Sequence, residues 1–299
     1  MAIFTIDKFT GGDIGARANY FERGEGQVLG DEHDQVLSTG GEDYYHKPGA
    51  DTLLAEYLGQ GAEAMGLGIT PQDGDYAALM SGINPRTRES YVLKRRQDQL
   101  ERGTGTAGFS TSLNVDKTLS LAYASLPREQ QIIFERAMME SSRRTFEYAE
   151  KQGYFGYRLG AQGVDRYAGK AMAASYLHFT NRNQEPHLHV HIEIPNACLT
   201  PDGEWRPLDG GELYKRQGEF AALFDCYLAH ALGRDIPQLA KHFEADLARN
   251  GLRVAGISRE TVLEFSTRRM EILKVLDEMG ASGADSARGA AKRTREGKK

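Results

Sequence analysis

The apolar positions of this chain follow two rhythms. Residues 1–10 alternate, with Ile3 and Thr5 against Phe4 and Ile6, which predicts a short strand. From Gly15 to Glu22 the pattern turns helical and carries Tyr20 and Phe21. Residues 22–43 lose both rhythms: Asp31, Glu32, Asp34, Glu42 and Asp43 stand among glycines, the signature of a solvated loop. A helix is expected over Thr52–Met65, and residues 66–107 read as irregular up to the glycine-rich GTGTAG at 103–108. Strand-like alternation resumes at Phe109, and Pro127 opens a long helix, Arg128–Lys151, with Ile133, Ala137 and Phe146 among its apolar positions. Met172–Thr180 and His187–Leu199 read as strands joined by the polar turn Asn181–Pro186, and TPDGEW at 200–205 is a tight turn closing a hairpin. Helices are expected at 213–232, 236–249 and 258–279, the last capped by Ser258 and stopped at Gly280. Strands flanked by helices without βαβ alternation predict an α+β fold around a central antiparallel sheet.

Charge narrows the function. The 299 residues hold 37 Lys and Arg against 42 Asp and Glu, a net of −5, yet Arg288–Lys299 holds six basic residues and one acidic. Residues 1–287 therefore carry −10. That balance argues against a protein that coats nucleic acid through bulk charge, and leaves room for a local groove or a bound metal. At 40% hydrophobic residues the chain can bury a sizeable core. No run of ~18 apolar residues is present, so no membrane insertion is expected. MAIFTIDKFTGGDIG is no secretion signal. Two cysteines, Cys198 and Cys226, make no disulfide framework, and a reduced, cytoplasmic protein is the plain reading. Residues 281–299 are small and basic and read as a disordered or loosely helical tail. The expected division is a domain over 1–285 and a linker-like basic tail over 286–299, as at the head of a longer protein.

Four of the eight histidines, His178, His187, His189 and His191, lie within fourteen residues. Alternate strand residues share a face, so HLHVH turns His187, His189 and His191 one way and Leu188 and Val190 the other. His178 sits on the preceding strand, where hairpin pairing brings it alongside. Such imidazoles suit a divalent ion, Zn²⁺, Mn²⁺ and Ni²⁺ included, and a three-His set leaves coordination positions open. Tyr20 in ANYFE and Tyr44 and Tyr45 in EDYYH are candidate nucleophiles, because a phenolate near a metal-polarised phosphate is workable. Singly, each of the 14 tyrosines reads as a packing residue. Trp205 is the only tryptophan and a candidate base-stacking platform, with core packing the simpler role. Lys94, Arg95 and Arg96 are candidate phosphate contacts.

In order along the chain, IGARANYFE (14–22), EDYYHKPGA (42–50), LGQGAEAMGLG (58–68), His178 with EPHLHVH (185–191), GEWRPL (203–208) and ISRETVLEFSTRRMEI (257–272) carry a family likeness. The chain resembles the N-terminal relaxase domain of conjugative transfer proteins, the TrwC/TraI-like (MOBF) group of HUH endonucleases. The likeness covers roughly residues 1–295. HxH alone is a weak motif, and the ordered set is a strong one.

The resemblance implies a sheet that carries a divalent ion on His178, His189 and His191, with Mg²⁺ or Mn²⁺ ahead of Zn²⁺ or Ni²⁺. It implies that Tyr20 attacks a scissile phosphate in single-stranded origin-of-transfer DNA, giving a 5′-phosphotyrosine and a free 3′-hydroxyl. Tyr44 or Tyr45 would act second. Lys117, matching a family lysine, would touch a phosphate. Accessory origin-binding and coupling proteins, and a C-terminal helicase, would be its partners.

Three departures stand out. The second tyrosine of the first motif is Phe21 here, and the loop 22–43 spaces the tyrosine motifs widely. In GFSTSLNVDKTLS (108–120) Ser110 occupies the position of a family aspartate. Glu193 follows His191 on the same strand face, where the family has an apolar residue. Glu193 is therefore expected to take over part of the lost work, by accepting a bond from a ligand imidazole, by coordinating the metal or by receiving the Tyr20 proton. The alternatives are an HUH rolling-circle replication initiator, a catalytically impaired origin-binding module, and a cupin-type His-metal oxygenase, which the helices disfavour.

Overall fold

Strand β1 (Ile3–Thr10) buries Phe4 and Ile6 on one face and exposes Ile3, Thr5 and Asp7 on the other, as its alternation requires. The computed structural model describes residues 3–23, 55–181, 183, 185–246, 251–278, 286 and 290. Helix α1 (Ile14–Arg23) follows. After it come β2 (Ala55–Leu58), α2 (Gln60–Ala64), α3 (Asp75–Met80), α4 (Lys94–Glu101) and β3 (Thr106–Asn114). Next are α5 (Lys117–Ala124), the long α6 (Arg128–Lys151), the hairpin β4 (Gly156–Leu159) and β5 (Asp165–Ala168), and the strands β6 (Ala173–Thr180) and β7 (Pro186–Pro195). A small hairpin, β8 (Cys198–Leu199) and β9 (Trp205–Arg206), leads to α7 (Gly211–Lys215), α8 (Gln217–Asp235) and α9 (Pro237–Ala240). Strands β10 (Phe243–Asp246) and β11 (Gly251–Val254) precede α10 (Arg259–Glu264) and α11 (Thr267–Glu278).

Five strands form the central antiparallel sheet in the order β1-β3-β7-β6-β2. Its two faces differ. Phe4, Ile6, Phe109, Leu113, Leu177, Leu188, Val190, Ile192 and Ile194 point to one side and pack on Phe134 and Met138 of α6 and Phe220, Phe224 and Leu228 of α8. On the other side a smaller core joins Phe9 and Tyr176 to Ile14 and Ala18 of α1, Tyr76, Leu79 and Met80 of α3, and Leu100 of α4. The apolar side packs the sheet against two helices, and the histidines fall on the opposite side, beside the smaller core.

The expected strands β1, β3, β6 and β7, the helix α1 and the helix Arg128–Lys151 are present. Ser258 caps α10 by accepting from the Thr261 amide. Other expectations are corrected. In place of a helix over 52–65, Ala55–Leu58 pairs with β6 as an edge strand, because Tyr57 and Leu58 gain two opposite cores there. Gly59, at φ 89°, turns the chain from that strand into α2, and a Cβ at this position would meet the Ala171 carbonyl oxygen at 2.5 Å. The stretch 66–107 holds α3 and α4. Among the described residues of 236–249, 236–246 hold the short α9 and then β10 in place of a continuous helix, since pairing with β11 packs Phe243, Leu252 and Val254 against the main core. The expected strand His187–Leu199 divides at Pro195 into β7 and β8, and the helix 258–279 divides into α10 and α11. The hairpin β4–β5 carries no signal that the alternation picks out. No described helix is long and apolar enough to cross a membrane.

Gly108 on β3 sits where a Cβ would meet the Ile194 carbonyl oxygen at 2.5 Å, whereas a Cβ on Gly15 in α1 meets nothing within 4 Å. Gly108→Ala should cost about 1–3 kcal/mol through strand displacement. Gly15→Ala should leave stability equal or raise it by about 0.5–1 kcal/mol. Denaturant unfolding of the two variants checks both, and equal losses in the pair would contradict this packing of β3 on β7.

Candidate metal and tyrosine site

The β6–β7 hairpin sets His178 directly opposite His189 and Tyr176 opposite His191. Alternation on β7 then puts His189, His191 and Glu193 on one face, with Leu188, Val190 and Ile192 sunk into the core behind them. One nitrogen from each of His178, His189 and His191 lies within 4.8 Å of the others. His187 is outside this set. Its ring Nε2 lies 3.2 Å from Asn114 Oδ1, and its carbonyl oxygen accepts from His189 Nδ1 at 2.8 Å. That second bond fixes the His189 proton on Nδ1 and leaves Nε2 bare toward the cluster. His189 Nε2 is 3.1 Å from His191 Nε2.

Electrostatics keep the cluster uncharged. Burial pulls the pKa of His178 and His191 well below the ordinary 6.5, and neighbouring histidines add to the effect. Burial brings His189 down to about 4 and His187 down to about 3. Neutral imidazoles whose bare nitrogens converge repel one another unless a proton or a cation stands between them. His191 Nδ1 is buried without a hydrogen-bond partner. Three neutral imidazoles on rigid strands, one with its tautomer already set, fit a divalent cation.

Helix α1 lays two aromatic residues over this face. The Tyr20 hydroxyl is 2.9 Å from His178 Nδ1, and its ring centroid is 5.9 Å from that of His191. Phe21 stacks on Tyr176 with centroids 4.9 Å apart and meets His191 edge-on at 5.2 Å. Phe21 is thus a packing residue that seats α1. Tyr44 and Tyr45 lie outside the described residues.

Glu193 is fully buried rather than at a solvated strand end. Its Oε1 accepts from Ser110 Oγ at 2.5 Å, across the register pair Ser110–Glu193. Its Oε2 accepts from Tyr76 Oη at 2.9 Å and faces Arg17 Nη1 at 3.4 Å. The carboxyl therefore occupies the space beside Ser110, and these bonds go to Ser110, Tyr76 and Arg17 instead of an imidazole. Burial raises its pKa to about 7 against the opposing pull of Arg17, Ser110 and Tyr76. No motif or spacing in the sequence marks Tyr76 or Tyr176 as a site residue. Arg17 had a signal, because three residues before Tyr20 on a helix is the same face.

The basic candidates separate. Lys117 is half-buried and donates to the Pro186 carbonyl at 2.8 Å, so it braces the turn that leads into His187. Lys94 is exposed and pairs with Asp98 at 3.0 Å. Arg96 donates to the Thr106 carbonyl, and Arg95 borders a groove with Trp205 and Arg206. Trp205 is half-buried, its ring centroid 5.3 Å from that of Tyr91. None of these four cations, Lys94, Arg95, Arg96 and Lys117, lies in the histidine cluster.

A family model described as TrwC relaxase matches residues 14–299. The fold is similar to the conjugative relaxase TrwC in complex with oriT DNA in a metal-free structure, at 22% identity and a TM-score of 0.73, covering 98% of this chain and 91% of that one. A metal-bound structure of TrwC with oriT DNA is similar at 23% identity and TM-score 0.72, covering 97% and 89%. TrwC with a 27-mer DNA comprising the recognition hairpin and the cleavage site is similar at 22% identity and TM-score 0.71, again covering 97% and 89%. No curated protein matches in sequence.

The depressed histidine pKa values have a consequence for stability. Folding lowers them below 6.5, so the unfolded chain takes up protons first as pH falls. Their destabilising effect is absent above pH 6.5 and grows as pH falls toward about 4, where His189 titrates. In chelator, denaturant unfolding should give a lower stability at about pH 5 than at about pH 7.5, and His187→Asn should flatten the difference. An unchanged pH dependence in that variant would contradict the neutral, buried state of His187.

Proposed function

The chain belongs to the TrwC relaxase family, and on that footing we propose that it nicks one DNA strand at a plasmid origin of transfer, with Tyr20 as the first nucleophile. The observation that carries this reading is the Tyr20 hydroxyl 2.9 Å from His178 Nδ1, at the edge of a three-imidazole cluster. The Tyr20 oxygen forms a bond to phosphorus while the bond from phosphorus to the 3′ oxygen breaks. The phenolic proton leaves to solvent or base, and the 3′ oxygen takes one up as a hydroxyl. A 5′-phosphotyrosine remains, and it conserves the phosphodiester energy for later strand closure.

His178, His189 and His191 would hold the divalent cation. When bound, the cation supplies charge that polarises the scissile phosphate. His178 Nδ1–H, facing Tyr20, would donate to the phenolic oxygen and so favour the attacking anion. Phe21 packs against one flank of Tyr20, with ring centroids 4.9 Å apart, and is itself stacked on Tyr176. Mn²⁺ or Mg²⁺ is our choice for the working ion, since phosphate chemistry suits them. Zn²⁺ or Ni²⁺ would bind the imidazoles more tightly. Tyr44 or Tyr45 is assigned the second transfer. DNA contacts are assigned to Arg95 at the Trp205 groove and, more weakly, to Lys94, Arg96 and Lys117. The domain would comprise residues 1–285, followed by the basic tail, and would act in the cytoplasm.

Incubation with supercoiled plasmids carrying origins of transfer, followed by mapping of protein-linked 5′ ends, tests the reading. Tyr20→Phe should lower adduct formation by on the order of a thousandfold or more, because Phe21 offers no hydroxyl in its place. Adducts at the wild-type rate would move the role to Tyr44 or Tyr45, and no adduct from the wild type would leave a binding module. Chelation should abolish adducts while changing DNA affinity by less than about threefold, since most contacts go to other phosphates. Full cleavage in chelator would remove the cation from the mechanism.

A further inference from the structure

Outside the histidine cluster, one buried carboxylate ties more elements together than packing requires. Glu193 has no exposed surface, and its two oxygens are shared by Ser110 of β3, Tyr76 of α3 and Arg17 of α1. An apolar side chain at this position would fill the space without the cost of taking a charge out of water. A buried carboxylate held by three directed partners instead commits them to one arrangement. The partner that matters is Arg17. Its guanidinium lies over the Phe9 ring at 4.3 Å and reaches Glu193 at 3.4 Å, so it is held from two sides. Tyr20 and Phe21 follow it by three and four residues and share its helix face. One helical turn therefore separates the anchored guanidinium from the hydroxyl that sits on His178.

We propose that Glu193 is a positioning residue: the Arg17–Glu193 pair fixes the rotation and axial setting of α1, and through them places the Tyr20 hydroxyl over the His178, His189 and His191 cluster. Glu193 touches neither the hydroxyl nor the cation in this role. It acts through Arg17, while its bonds to Ser110 and Tyr76 hold the carboxylate itself in place. The placement stands on geometry alone, and its use in strand cleavage rests on the reading of Tyr20 as nucleophile.

The test reads the position of Tyr20 without cleavage. The whole protein is labelled with fluorotyrosine, and the Tyr20 fluorine resonance is assigned by its loss in Tyr20→Phe. Zn²⁺ is then titrated in. In the wild type the Tyr20 resonance should move as the histidines load. In Glu193→Gln and in Arg17→Gln that movement should fall by about threefold or more, and the double variant should be no worse than either single one, as expected of two residues acting as one unit. Zn²⁺ affinity should stay within about threefold of wild type, because no ligand imidazole is removed. Arg17 is partly exposed, so its variant remains informative if Glu193→Gln lowers stability. A Tyr20 resonance that responds to Zn²⁺ as in the wild type in Arg17→Gln overturns the proposal. If Tyr20→Phe still forms DNA adducts while the resonance behaves as described, the nucleophile assignment fails and the positioning inference stands.

Discussion

The site depends on the register of one hairpin. Antiparallel pairing of β6 with β7 puts His178 opposite His189, and a shift of one residue would send His189 and His191 into the apolar core and bring Val190 and Ile192 out. The core enforces the register, since Leu188, Val190, Ile192 and Ile194 are all buried against α6 and α8. Hydrophobic burial on one face thus determines the metal chemistry of the other. The three imidazoles converge because the register sets them on one face of adjacent strands, and burial keeps them neutral.

The remainder of the site is built on top of that face by α1. Phe21 supplies an aromatic contact to Tyr176 and His191, and Arg17 supplies an ionic contact to Glu193. Between them Tyr20 meets His178. Apolar packing gives the helix its affinity for the sheet but little rotational precision, whereas a directed ion pair gives precision at a desolvation cost. The two together account for a phenol delivered to a hydrogen bond rather than merely nearby.

Much of this was legible in the sequence where a period is simple. The alternation HLHVHIE states which residues share a face, and it places Glu193 beside the cluster. The helix carrying Tyr20 and the long helix after Pro127 also follow from local pattern. What local pattern misses is pairing at a distance. Ala55–Leu58 looks helical by neighbours and is a strand because β6, far along the chain, receives it, whereas Phe243–Asp246 is a strand through its local hairpin with β11. The partners of Glu193 are hidden for a related reason. Tyr76 lies 117 residues away and Arg17 lies 176 residues away, and no spacing rule connects them. His187 shares the face of His189 and still stands outside the cluster, because its ring turns to Asn114.

The account rests on His178, His189 and His191 forming one cation site. Zinc-edge X-ray absorption on the protein loaded with one equivalent of Zn²⁺ measures this directly. The expected first shell holds three imidazole nitrogens at about 2.0–2.1 Å, reduced to two in His178→Ala and unchanged in His187→Asn. A shell with fewer than three imidazoles in the wild type, or one that is the same in His178→Ala, would contradict the site.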